Sequence, residues 1–151
     1  SQDNDWYVKK FIAKRQNLSS ELIEELSQDE NYDVRYAIAQ RPDLPPELIE
    51  KLSKDKDWGV RSAIAERPDL SPELIEELSQ DKHWGVRRAI ARKANLSHKI
   101  IEKLSKDENE DIRIIITERG DLSPEIIEQL NIQIDDEMKE NVSENSNYSI
   151  K

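Results

Sequence analysis

The stretch DLPPELIEKLSKDKDWGVRSAIAERP at 43–68 is followed directly by DLSPELIEELSQDKHWGVRRAIARKA at 69–94, and eighteen of the 26 positions are identical. Self-similarity at a fixed period is the mark of a stacked array in which each unit is one supersecondary element. The same register gives NLSSELIEELSQDENYDVRYAIAQRP at 17–42 and NLSHKIIEKLSKDENEDIRIIITERG at 95–120, so four full units run in tandem. Residues 1–16, through Asp3, Trp6, Val8, Lys9, Ile12, Ala13 and Arg15, match a second half-unit, and DLSPEIIEQL at 121–130 matches a first half. The repeat domain is therefore set at 1–130, its ends being either atypical caps or the cut edges of a longer array. NIQIDDEMKE is expected to extend the last helix as a cap, with a polar, disordered tail completing 131–151.

Each unit reads as two short helices. In the first, Ser71 is placed as N-cap and Pro72 at N1, where its missing N–H costs nothing, and Leu70 can staple onto Ile75. Leu74, Ile75 and Leu78 then share one face at helical spacing while Glu73, Glu76 and Glu77 face water. The second helix is predicted to start after Asp5, Asn31, Asp57, His83 or Asn109 in successive units, four of which are favoured cap types. Val60, Ala63 and Ile64 form its buried stripe and Pro68 ends it; so short a helix can tighten in part to 3₁₀. Neither helix can exclude water from its apolar face alone, so units must stack into an all-α superhelix with an open groove.

Composition agrees: 35% of residues are hydrophobic and 37% charged, with three Gly and one Phe among many Leu, Ile, Glu and Lys, which suits helices and tight turns. No Cys is present, which excludes disulfides and thiolate metal sites, and a reducing cytoplasm is the expected compartment. No apolar run approaches the length that spans a bilayer. The formal net charge of −10 opposes broad attachment to nucleic acid or to an acidic membrane. That charge is unevenly placed, with the five first-half segments at −11, the five second-half segments at +4 and the remainder from 131 at −3.

The nine residues LPPELIEKL at 44–52, followed by Asp55, Val60-Arg61 and Ala63-Ile64-Ala65, resemble the leucine-rich repeat variant family over roughly residues 3–130. The resemblance implies a bacterial, right-handed α-solenoid of alternating α and 3₁₀ helices, related to HEAT-like arrays. The founding type carries a Cys-ligated iron–sulfur cluster ahead of its repeats, and a chain without Cys inherits no such redox role. HEAT-like arrays also include a DNA glycosylase branch that works through a cationic concave face and a catalytic carboxylate, to which no residue here corresponds.

Candidate functional residues divide into those that recur and those that vary. Asp29, Asp55, Asp81 and Asp107 recur six residues ahead of Arg35, Arg61, Arg87 and Arg113, the pattern of a hydrogen-bonded ladder that caps helices and ties units. Trp6, Tyr32, Trp58 and Trp84 share one place at the start of each second helix, where Glu110 ends the series. Such aromatics either pack over the inter-repeat seam or stand as contact anchors. Four and eight residues later lie the variable pairs Lys10 and Lys14, Tyr36 and Gln40, Ser62 and Glu66, Arg88 and Arg92, Ile114 and Glu118, on the same solvent face. Lys82, Arg87, Arg88, Arg92 and Lys93 beside His83 and Trp84 form the most basic segment, suited to an acidic peptide or a phosphate. The row Glu24, Glu50, Glu76, Glu102 and Glu128 reads as exposed helix formers, and His83 and His98 match no zinc spacing. No nucleophile elbow or Gly-rich phosphate loop is present.

The sequence thus predicts a non-catalytic interaction module without cofactor, taking a protein or peptide partner on Trp6, Tyr32, Trp58, Trp84, Tyr36, Arg88 and Arg92. Nucleic-acid binding around Arg88 is the alternative, and a structural segment of a longer array is the third reading.

Overall fold

A computed structural model describes residues 5–131. Of the expected cap and tail, 132–151 lie outside the described residues, and 131 is helical. The described residues form helices joined by short turns, with no strand among them. First helices are α2 (Ser20–Leu26), α4 (Pro46–Ser53), α6 (Pro72–Leu78) and α8 (His98–Leu104); second helices are α1 (Asp5–Ala13), α3 (Tyr32–Ala39), α5 (Trp58–Ala65), α7 (Trp84–Ala91) and α9 (Glu110–Thr117). Residues 124–131, α10, begin one more first helix. The array of two-helix repeats is the fold class that the 26-residue period predicts.

Capping fixes where each helix begins. Ser19, Ser71 and Ser97 accept hydrogen bonds from the N–H groups of Leu22, Leu74 and Ile100, satisfying one donor that the first turn leaves open. Pro45 holds the same backbone conformation, φ −69° against −68° at Ser71, without a capping bond; its ring supplies rigidity where the serine supplies an acceptor. Asn31, Asp57 and His83 accept from the N–H two residues on, and Asn109 from Ile112. Asp5 differs from its expected role, being the first helical residue of α1 and not its cap.

The second helices are α-helical, where partial 3₁₀ geometry was expected. Four-residue hydrogen bonds open them, as from Arg61 N–H to the Asp57 carbonyl and Arg35 N–H to that of Asn31. Three-residue bonds mark chiefly the turn beyond each helix, from the N–H groups of Arg41, Arg67, Lys93 and Arg119 to Ile38, Ile64, Ile90 and Ile116. The core demands this. Val60, Ala63 and Ile64 share one face only at 3.6 residues per turn, and Val60 and Ile64 are fully buried. Val34 with Ile38, Val86 with Ile90 and Ile112 with Ile116 repeat the pair; each side chain so buried contributes about 1.5–3 kcal/mol.

Contacts divide the chain into two compact units, Ser1–Lys93 and Ala94–Lys151. In the first, α1, α3, α5 and α7 pack side by side as a continuous layer, whereas α2, α4 and α6 touch one another much less and lean instead on the second helices. In the second, α8 packs on α9, with Ile100, Ile101, Leu104, Ile112 and Ile116 buried. The boundary falls where Lys93-Ala94-Asn95 replaces the Arg-Pro-Asp of 41–43 and 67–69, and Asn95 takes a left-handed φ of 56°. Asn17, at the same repeat position, does likewise at 61°; asparagine tolerates this region better than most residues.

Candidate interaction surface

Of the recurring pairs, Arg35, Arg61 and Arg87 are buried, and Asp29, Asp55, Asp81, Asp107 and Arg113 are half-buried. Arg35 donates from Nε and Nη2 to both carboxylate oxygens of Asp55 at 2.7 and 2.9 Å, and from Nη1 to the backbone carbonyls of Asp29 and Glu30 at 2.8 and 3.0 Å. Arg61 repeats this with Asp81 at 2.6 and 2.9 Å and with the carbonyls of Asp55 and Lys56. Each arginine thus holds the turn of its own unit and the aspartate of the next. Arg87 donates to the Asp81 carbonyl, and Arg113 to those of Asp107 and Glu108. Asp55 and Asp81 also accept the N–H groups of Asp57 and His83, tying the turn just ahead of the next helix. Burial alone would raise the Asp81 carboxyl, but the Arg61 guanidinium and the His83 N–H outweigh it and the net shift is downward. The Asp55 bond raises Arg35 and the Asp81 bond raises Arg61, so the guanidinium stays charged.

A second row, Arg41, Arg67, Lys93 and Arg119, occupies the turns after α3, α5, α7 and α9. Arg41 Nη1 donates to the carbonyls of Ala13 and Arg15 at 2.7 Å, and Arg67 Nη1 to those of Ala39 and Arg41. Ala13 and Ala39 end α1 and α3, so each guanidinium neutralises the carbonyl end of the preceding second helix. Arg41, Arg67 and Arg119 also pair with Asp43, Asp69 and Asp121, two residues on. Lys93 Nζ reaches the Arg67 carbonyl, and burial lowers its pKa. The sequence carried a signal for this row, since Asp follows Arg by two at 43, 69 and 121 and becomes Asn95 where Arg becomes Lys93.

These bonds alter the basic segment. Arg87 and Lys93 are engaged with backbone carbonyls. Lys82 borders a shallow cleft with Lys54, Lys56 and Asp55 at the turns between first and second helices. Arg88 and Arg92 stay on the second-helix layer. Arg88 is half-buried on α7, its Nε sealed from solvent without a hydrogen-bond partner, and Arg92 is the exposed C-cap of that helix.

The aromatic row stands at the start of the second helices. Tyr32, Trp58 and Trp84 are 53%, 47% and 42% exposed, and Trp6 is half-buried on α1. Trp58 lies flat on the His83 ring, centroids 4.1 Å apart and planes at 9°, and His83 is followed by Trp84 at 5.8 Å. Trp58 also covers Gly85, where an added Cβ would come within 3.0 Å of the indole. Its indole therefore packs over the next unit's helix start and still leaves nearly half its surface to solvent. In the layer beside it, Tyr36 Oη accepts from Gln40 Nε2, Ser62 donates to the Gly85 carbonyl, and Lys10 pairs with Asp33 at 2.5 Å. Glu110, at the same place on α9, is exposed.

Among the described residues no helix is long and apolar enough to cross a membrane. Residues 58–83 match the leucine rich repeat variant family, the family that the sequence resembles. The matched window is one repeat period long and runs from Trp58 through the Arg61 and Asp81 pair to His83. No curated protein and no solved structure matches the chain.

Proposed function

We propose that this chain is a non-catalytic interaction module that binds a protein or peptide on its second-helix layer. The observation that carries this is the division of labour among polar side chains. Arg35, Arg61, Arg41, Arg67 and Lys93 are engaged in holding repeats together and Arg87 holds the turn of its own unit, whereas Arg88 and Arg92, on the helix that the exposed Trp84 begins, have no such task. Exposed Trp and Tyr flanking an arginine are the side chains that most often dominate binding energy at interfaces. A partner carrying carboxylates and apolar groups would meet both, the carboxylate on the guanidinium fork and the apolar part on the outer indole faces.

A photo-crosslinking amino acid at Ser62 on α5 tests the reading against the same label at the exposed Glu21 on α2. Adducts with a peptide or protein from Ser62 that vanish in Trp58→Ala/Trp84→Ala, with helicity retained, are expected. Equal adducts from both positions, or adducts indifferent to the tryptophans, would sink it. Nucleic-acid adducts dependent on Arg88 and Arg92 and lost with added salt would favour the alternative instead.

A further inference from the structure

A different face of the first unit carries a second site. Where the first helices α4 and α6 lie apart, they leave a cleft of about 680 Å³, within the range of pockets that take small ligands or single side-chain anchors. Leu44, Ile49 and Leu74 are its buried apolar lining, and Glu50, Glu73 and Glu77 stand exposed at its edge. Asp69 also lines it, but Arg67 holds that carboxylate through both oxygens at 2.9 and 2.8 Å.

The preceding seam shows what this one lacks. Between α2 and α4, Lys51 Nζ reaches Glu24 Oε1 at 2.7 Å and bridges the two helices at the surface. One period later the same two places hold Glu77 and Glu50. The charge pattern changes here, setting two carboxylates where positions 24/51 and 76/103 hold a glutamate and a lysine. Lys54 compensates in part, binding Glu50 Oε1 at 3.1 Å and feeling Glu77. Against the three exposed carboxylates this leaves an excess of two negative charges over an apolar lining.

We propose that the α4/α6 cleft binds a segment of a partner protein in which a bulky apolar side chain is flanked by lysine or arginine. The apolar group packs on Leu44, Ile49 and Leu74, and the cation sits between Glu50 and Glu77 as Lys51 sits against Glu24. The carboxylates at the edge outnumber Lys54 and so attract an incoming cation, and burial of the anchor adds affinity that a cation alone would not have. This surface shares no residue with the second-helix layer, so the two readings fail separately.

The probe is a fluorescein-labelled Leu/Lys amphipathic peptide, followed by anisotropy at physiological salt, with a Leu/Glu peptide and a Gly/Lys peptide of equal length as controls. The Leu/Lys peptide should bind the intact chain, and Glu77→Lys should weaken it by about tenfold or more. That substitution recreates the Lys51 and Glu24 arrangement, so it should fold as the parent does. Glu66→Lys on the second-helix layer makes the same change in net charge and should leave binding unaltered, as should Trp58→Ala/Trp84→Ala. Should Glu77→Lys not fold, Glu73→Gln/Glu77→Gln removes the charge without adding a cation and should weaken binding likewise. Equal binding of the Gly/Lys or Leu/Glu peptide, an equal loss in Glu66→Lys, or full binding by the cleft variants would overturn the proposal.

Discussion

Replacing Arg61 by methionine keeps an apolar stem of similar length and removes the guanidinium, leaving the Asp81 carboxylate without its main partner at a side-chain exposure of 9%. Breaking a buried ion pair from one side costs about 3–5 kcal/mol. Asp81 retains the His83 N–H at 2.8 Å, which places the expected loss near the lower end, about 3 kcal/mol. Asp81→Asn removes the charge but keeps one acceptor, and should cost about 2 kcal/mol, the worth of a hydrogen bond to a charged group. Once either partner is gone the second removal loses much less, so the double variant should cost about 3–4 kcal/mol, a coupling of roughly 1.5 kcal/mol. Urea titration followed by far-ultraviolet circular dichroism reads all four chains, provided the transition slope holds, since repeat arrays can lose two-state behaviour. Lys54→Met with Glu50→Gln forms the control cycle. That pair is exposed, and its coupling should stay below about 0.5 kcal/mol. Additive single costs at Arg61 and Asp81, within about 0.5 kcal/mol, would refute the view that the pair joins neighbouring units as one bond.

Two further outcomes follow from the geometry. The carboxyls of Asp43 and Asp69 are lowered by hydrogen bonds from Arg41 and Arg67, and that of Asp121 by Arg119; Asp81 is lowered on balance, against its burial. The unfolded chain therefore binds more protons than the folded one near their ordinary value of about 3.9. The stability they supply is complete above that value and is lost as pH falls through the depressed folded values, so the urea midpoint should drop there; a midpoint unchanged across that window would contradict the assignment. Gly85→Ala should push Trp58 off its stack and cost about 1 kcal/mol net, whereas Gly59→Ala meets only the Asp57 carboxylate and should be near neutral once helix propensity is counted. Calorimetry gives the difference and a red-shifted tryptophan emission its cause, and equal effects of the two substitutions would show that the indole yields freely.

Caps, core stripes and helix boundaries were legible in the sequence because each depends on residues within one unit. Ser71, Val60 and Ile64 announce their roles by local spacing alone. Partnership across units was harder to read. Asp55 stands six residues before Arg61 and twenty after Arg35, and only packing selects the longer separation for the carboxylate while giving the shorter one to the backbone carbonyl. Composition groups Lys93 with Arg88 and Arg92, although its nitrogen reaches inward to the Arg67 carbonyl. The α4/α6 cleft needed still more, because Glu50 and Glu77 look like ordinary surface glutamates until Lys51 and Glu24 reveal which places face each other.

The arginine pairs span twenty residues at both Arg35 to Asp55 and Arg61 to Asp81, and the carbonyl bonds of Arg41 and Arg67 reach back by the same two intervals. Every such joint is therefore written in the coordinates of the period and not of the chain. Excising residues 43–68 would splice Pro42 to Asp69 and bring Arg35 to Asp81, an equivalent partner at an equivalent interval. A gene of this kind can gain or lose whole units by unequal recombination and keep these intervals, while an insertion of any other length would put out of phase each joint that spans it.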